Sequence, residues 1–211
     1  MKARNILISV FAVAALGSCD FLDEYNPNSV TTGNFYKTES DVETSVNGIY
    51  SALTQSYYFT YNHYFTDVRA NATIVKDAGA VSGIPYQFYN FTLTEENSYV
   101  YNRYAQMYKT VSRANKVLAH IDDVTWQSAD TRDVCEAEAR FLRALTYFYL
   151  VTEWGDVPLV LKDLTTTSEV KANNVRAPKA DVYKAIAEDL EAVVSSPIMD
   201  FPSASECGRA S

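Results

Sequence analysis

The 211-residue chain has little cysteine, histidine or tryptophan, with three, two and two of them. Three cysteines, Cys19, Cys135 and Cys207, do not make a disulfide framework. His63 and His120 have no Cys or second His at ligand spacing, which removes a zinc site. There is no G-x-S-x-G run and no phosphate-binding glycine loop, so no nucleophile elbow, nucleotide site or cofactor is expected. Positive charge is also scarce: 18 Lys and Arg stand against 26 Asp and Glu, a net of -8. Without a basic face the chain cannot neutralise phosphates, so nucleic acid is excluded as a partner. Anionic lipid gains no electrostatic hold either. No apolar run approaches the roughly 20 residues that cross a bilayer.

What is present begins at the N-terminus. Lys2 and Arg4 precede the apolar stretch Ile6 to Leu16, and Leu16-Gly17-Ser18-Cys19 follows. This is the pattern of a lipoprotein signal peptide over residues 1–18, cut between Ser18 and Cys19. The Cys19 thiol would take the lipid, so contact with a membrane would run through that anchor alone. Residues 19–35, rich in Asn, Ser and Thr, read as a tether. Asp20, Asp23 and Glu24 sit directly behind the anchor, either as a solvated linker or as an acidic export tag of the kind that surface lipoproteins carry.

Residues 36–211 read as one domain, mainly α. Ser40 and Glu43 have capping-box spacing. Val42, Val46, Ile49, Tyr50 and Leu53 then mark one helix face. Residues 56–98 keep no helical period and hold Gly79, Gly83 and Pro85, which predicts irregular loops. Val100, Tyr104, Met107, Tyr108, Val111, Leu118 and Ile121 predict a long helix. Val134, Phe141, Leu145 and Phe148 predict the apolar side of a second, ended by Gly155 and Pro158. Residues 162–177 read as a polar loop. Val182, Ile186, Leu190 and Val193 predict the buried face of a third helix after Pro178, stopped by Pro197. The short connection from residue 122 to 130 implies an antiparallel hairpin. Stacked helix pairs follow the logic of a tetratricopeptide-like solenoid, although its repeat consensus is not visible.

One stretch is more specific. Glu138-Ala139-Arg140-Phe141-Leu142-Arg143-Ala144, then Gly155-Asp156-Val157-Pro158, resembles the most recognisable segment of the SusD/RagB family. Asp20-Phe21-Leu22-Asp23, the Arg113-Ala114-Asn115 helix, Asp189-Leu190-Glu191 and Gly208-Arg209-Ala210-Ser211 agree with it and fall in the family's order. The resemblance implies a lipid-anchored outer-membrane protein facing outward, mostly helical, that binds a nutrient, usually an oligosaccharide. It implies a SusC-like TonB-dependent transporter as partner, and no catalysis. Members of the family are longer, so the chain is expected to be the N-terminal part of a SusD-like fold.

The motif residues Glu138, Arg140, Arg143, Gly155, Asp156 and Pro158 are expected to be structural, with Glu138 and Arg140 pairing inside the hairpin and Trp154 in the core. Ligand contacts are expected elsewhere. Ten of the sixteen tyrosines fall between Tyr57 and Tyr108. Sugars offer apolar C–H faces ringed by hydroxyls, so a binder needs flat rings with amides, carboxylates or Arg around them. Loops on a rigid scaffold are the usual place for both. Tyr57, Tyr58, Tyr61 and Tyr64 supply rings beside Asp67, Arg69 and Asn71. Tyr86, Tyr89, Tyr99 and Tyr101 form a second group with Asn90 and Asn97. About half of these tyrosines are expected to pack the body. Two other readings stand beside this one. A lipid-anchored helical-repeat scaffold would bind protein through a groove without exposed tyrosines. A glycoside hydrolase would need two carboxylates facing across a cleft, whereas Glu95-Glu96 and Asp122-Asp123 are adjacent residues.

Overall fold

A computed structural model describes residues 35–73 and 83–196. The expected signal peptide, Cys19, the tether before residue 35, Pro197, Cys207 and Gly208 to Ser211 lie outside the described residues.

The first helix, α1 (Glu39–Leu53), buries Val42, Val46 and Ile49 along the face that the sequence marks. Its capping box is not Ser40 with Glu43. Thr38 accepts from the Asp41 amide, and the Asp41 carboxylate accepts from the Thr38 amide at 2.8 Å and the Lys37 amide at 3.0 Å. The helix starts one residue before Ser40, which places Ser40 inside the first turn.

Two long helices follow the irregular region, α3 (Ser98–His120) and α4 (Ala129–Trp154). A short helix, α2 (Tyr86–Tyr89), precedes them. Asn97 is the N-cap of α3, and its carboxamide also donates to Ile84 O and Gln87 Oε1, tying the preceding loop to the helix start. This buried asparagine is committed to structure and not to a ligand. Arg103 meets Glu153 and Asn115 meets Arg143, the inverse register of an antiparallel hairpin. Arg113 donates to Gly48 O and Gln106 to Ala52 O, so α1 also runs antiparallel to α3.

The face of α4 differs from the expected one. Leu142, Tyr147, Leu150 and Cys135 are buried, and so are Glu138, Arg143 and Thr146. Phe141 and Leu145 are only half-buried, and Phe148 is 47% exposed. The apolar stripe of the sequence misses the buried side because three polar residues belong to that side and are satisfied there.

Gly155 ends α4 at φ 74, in the left-handed region where glycine carries no Cβ penalty. Then β1 (Val157–Pro158) pairs antiparallel with β2 (Arg176–Ala177). The segment between them is not a plain loop. It holds α5 (Thr167–Asn173), opened by a capping box of Thr166 and Glu169. The last described helix, α6 (Lys179–Val194), packs on α4 and buries Val182, Ile186 and Val193. Leu190 is 37% exposed, while its neighbour Asp189 is buried. The central core joins Tyr58, Met107, Val111, Tyr147, Leu150 and Val182.

Candidate functional site

Between α1 and α2 the backbone widens into two single π-turns, Ser56–Thr60 and Tyr64–Val68. Tyr61 N bonds Ser56 O across five residues at the first turn, and Ala72 N bonds Asp67 O with the same span just after the second, both at 2.9 Å. Such turns are rare and concentrate at functional sites. Here they shift the side-chain spacing so that Tyr57, Tyr61 and Tyr64 converge on Tyr99 from the first turn of α3. Ring centroids lie 5.5, 5.0 and 5.4 Å from that of Tyr99, and Tyr57 meets Tyr61 edge-on at 5.3 Å. All four rings are half-buried, each packed on another while part of it faces solvent. Burial, followed by the three neighbouring phenols, raises the Tyr99 pKa above its ordinary value. Together the four rings form a platform.

The platform is anchored by Arg103, which is fully buried. Its guanidinium donates to the Tyr58 carbonyl, to Asn62 Oδ1 at 2.7 Å, and in a fork to Glu153 at 2.7 and 2.5 Å. Its flat face covers the Phe65 ring at 4.5 Å. One cation on a long helix thus fixes both irregular turns to α3 and α4. Arg103 and Glu153 are absent from the sequence expectation. The one available signal was an arginine within a run of apolar and aromatic helix residues.

The expected ligand residues divide. Tyr57, Tyr61, Tyr64 and Tyr99 come together. Tyr58 does not join them: it is fully buried, shares a 2.8 Å hydrogen bond with Thr146, and burial pushes its phenol well up. It belongs to the core. Tyr86 and Tyr89 pair with each other at 5.5 Å. Asn90 accepts from the Thr92 hydroxyl at 2.6 Å. Asp67, Arg69 and Asn71 are exposed, Asn71 at positive φ. Tyr101 is 70% exposed but lines a hollow with Tyr104, apart from the Tyr99 ring contacts. One exposed ring is not a tyrosine and lies outside that expectation. Phe91 is 68% exposed and sits at φ 59, a backbone region a phenylalanine rarely adopts.

The motif residues build the frame. Glu138 accepts from the Tyr50 hydroxyl on α1 at 3.1 Å. Arg140 bonds Glu136 within its helix and Asp189 on α6, so neither it nor Glu138 pairs only inside the hairpin. Asn115 donates to Val160 O and Lys162 O. Asp156 accepts from the first amide of α6 at 2.9 Å. Trp154 packs against Tyr104 beside the core. Among the described residues, no three His, Cys, Asp or Glu side chains are grouped to hold a metal, and no helix is long and apolar enough to cross a membrane.

A family profile described as "Starch-binding associating with outer membrane" matches residues 20–196. The chain belongs to the SusD-like family. SusD-like protein P38 of Formosa agariphila is 30% identical over 194 residues, covering 90% of this chain and 37% of that protein. SusD-like protein P2 of the same organism is 28% identical, again over 90% and 37%. Among solved structures, a laminarin-binding SusD-like protein superposes with a TM-score of 0.71 at 28% identity, covering 83% of this chain and 38% of that one. Surface glycan-binding protein A from Bacteroides uniformis superposes with the same score at 20% identity, a likeness of fold. The chain spans little more than a third of the length of these SusD-like relatives. Its fold is the mainly α, tetratricopeptide-like arrangement of the family.

Proposed function

We propose that this chain belongs to a surface lipoprotein that captures an oligosaccharide on the outer membrane and hands it to a SusC-like TonB-dependent transporter, without catalysing its cleavage. The observation that carries this reading is the platform of Tyr57, Tyr61, Tyr64 and Tyr99, locked by Arg103. Partly exposed rings with edges in contact give a rigid stacking surface, which costs little ordering entropy on binding. The laminarin-binding relative is in keeping with a sugar ligand. Glu95 and Glu96 lie in an exposed turn, Asp122 pairs with Arg132, and Asp123 bonds His120, which leaves these carboxylates without the facing arrangement of a hydrolase.

Affinity electrophoresis in gels holding laminarin or starch tests the capture step. Retardation of the full chain, weakened in Tyr61→Ala, is the expected result. Retardation unchanged by Tyr61→Ala sinks the platform. The hand-over is tested by tagging the protein, solubilising outer membranes in mild detergent and identifying co-purified proteins by mass. A stoichiometric TonB-dependent barrel is expected; recovery without one removes the transport role and favours the scaffold reading.

A further inference from the structure

Resting on the glycan-binding reading, we propose that a second site, a trough that leads along α3 away from the residues anchoring the tyrosine platform, holds an extended oligosaccharide chain. Its main cavity has a volume of about 410 Å³, within the size range of ligand pockets. Tyr101, Tyr104 and Tyr108 contribute one wall from a single stripe of α3. Pro158, Val160, Leu164 and Val170 contribute the other. Ser112, Lys162 and Asn174 add a hydroxyl, an ammonium and an amide to the lining.

Two smaller hollows adjoin the main cavity in turn through shared lining residues. A hollow of about 170 Å³ shares Tyr101 and Tyr104 with it and adds Trp154 and Arg176. A third, also about 170 Å³, shares Val100 and Trp154 with the second and ends at Arg69. Along the helix, Val100 to Asn115 spans about 22 Å at 1.5 Å per residue. A compact solute fills one hollow; only an elongated ligand uses all three. Flat rings alternating with amide, hydroxyl and guanidinium groups match the apolar faces and hydroxyl rims of linked sugars. Charged side chains along the whole length oppose a lipid tail. One wall is a face of α3, and the far wall is made by β1, the segment that follows it and α5.

The trough is preformed. The Tyr108 hydroxyl donates to Pro158 O at 2.7 Å, and Asn115 holds Val160 O at 2.8 Å and Lys162 O at 3.1 Å, pinning the far wall to α3. Tyr101 is 70% exposed and adds little to packing, so it can be removed without harming the fold.

The test uses the full chain in native gels containing laminarin, starch, xylan, pectin or alginate. For the polysaccharide that retards the parent, Tyr101→Ala is expected to weaken retention roughly tenfold, a change of about 1.4 kcal/mol, with an unaltered unfolding midpoint. Tyr101→Cys is expected to react with a maleimide in the folded protein, more slowly when that polysaccharide is present. Retention lost in Tyr61→Ala but untouched in Tyr101→Ala overturns the trough and leaves the platform standing. A Tyr101→Cys thiol that never reacts shows the trough sealed and also overturns it. No retardation of the parent by any of the five overturns the glycan reading and the trough with it.

Discussion

Arg143 and Asp189 form a two-pronged ion pair, Nε to Oδ2 at 2.8 Å and Nη2 to Oδ1 at 2.7 Å, across the contact of α4 and α6. Both side chains are almost wholly buried, and the spare Arg143 nitrogen reaches Asn115 on α3 at 2.7 Å. Three helices meet at this one guanidinium. Asp189→Ala leaves that cation buried without its carboxylate, which costs about 3–5 kcal/mol. Urea unfolding followed by helical circular dichroism should show a loss of that size. Pairing Asp189→Ala with Arg143→Met should return part of it, since the stranded charge is gone. Equal losses in the single and double variants would show that the pair's charge is not what matters.

Arg103 couples the irregular turns that carry the platform to α3 and α4 in the same way. Arg103→Lys keeps a cation but cannot reproduce a fork to Glu153 together with bonds to the Tyr58 carbonyl and Asn62. We expect a stability loss of about 2–4 kcal/mol from the broken buried network, and weaker polysaccharide retention even where the protein remains folded. Retention equal to the parent in folded Arg103→Lys would mean that the platform does not depend on its anchor.

Much of the frame is legible in the sequence, and the reasons for the failures are physical. The α1 face reads correctly because Val42, Val46 and Ile49 are its buried side and no polar residue interrupts them. The α4 face reads wrongly because Glu138, Arg143 and Thr146 are buried with partners from α1, α6 and the first π-turn. A hydrophobic stripe cannot register a buried arginine whose carboxylate lies 46 positions away. The helix α5 reads as loop although its capping box, Thr166 with Glu169, stands in the sequence, because it buries no residue and so leaves no apolar period. For the candidate site, tyrosine enrichment marks the region in which four rings converge. Which rings converge depends on two π-turns, whose five-residue hydrogen bonds break the helical spacing from which side-chain directions are read.

Phe91 offers a test that separates stability from binding. It is a large apolar side chain, 68% exposed, at φ 59. A non-glycine residue there carries roughly 1–2 kcal/mol of backbone strain, and little burial is lost on removing the ring. Phe91→Gly relieves the strain but gains unfolded-state entropy worth about 0.4–1 kcal/mol. The unfolding free energy should therefore stay level or rise by up to about 1.6 kcal/mol. If the ring is held out to stack on a sugar, polysaccharide retention falls at the same time. A large drop in stability would assign Phe91 to packing instead.

Alkaline pH should unfold the domain through its buried phenols. Burial pushes Tyr147 up to about 12 from an ordinary 10.0, and it raises Tyr58 and Tyr108 as well. A raised folded value means that the folded state favours the neutral phenol. This contribution is fully present below pH 10 and is lost as the pH climbs from there through about 12. Tyrosinate absorbance and helical dichroism, titrated together, should show a late step in which ionisation and loss of helix coincide. Tyr147→Phe removes one of these groups but strands the Val160 amide, which bonds the Tyr147 oxygen at 2.7 Å. It should lower stability at neutral pH by about 1–3 kcal/mol and flatten the alkaline fall. A fall of unchanged steepness would show that Tyr147 ionisation is not coupled to unfolding.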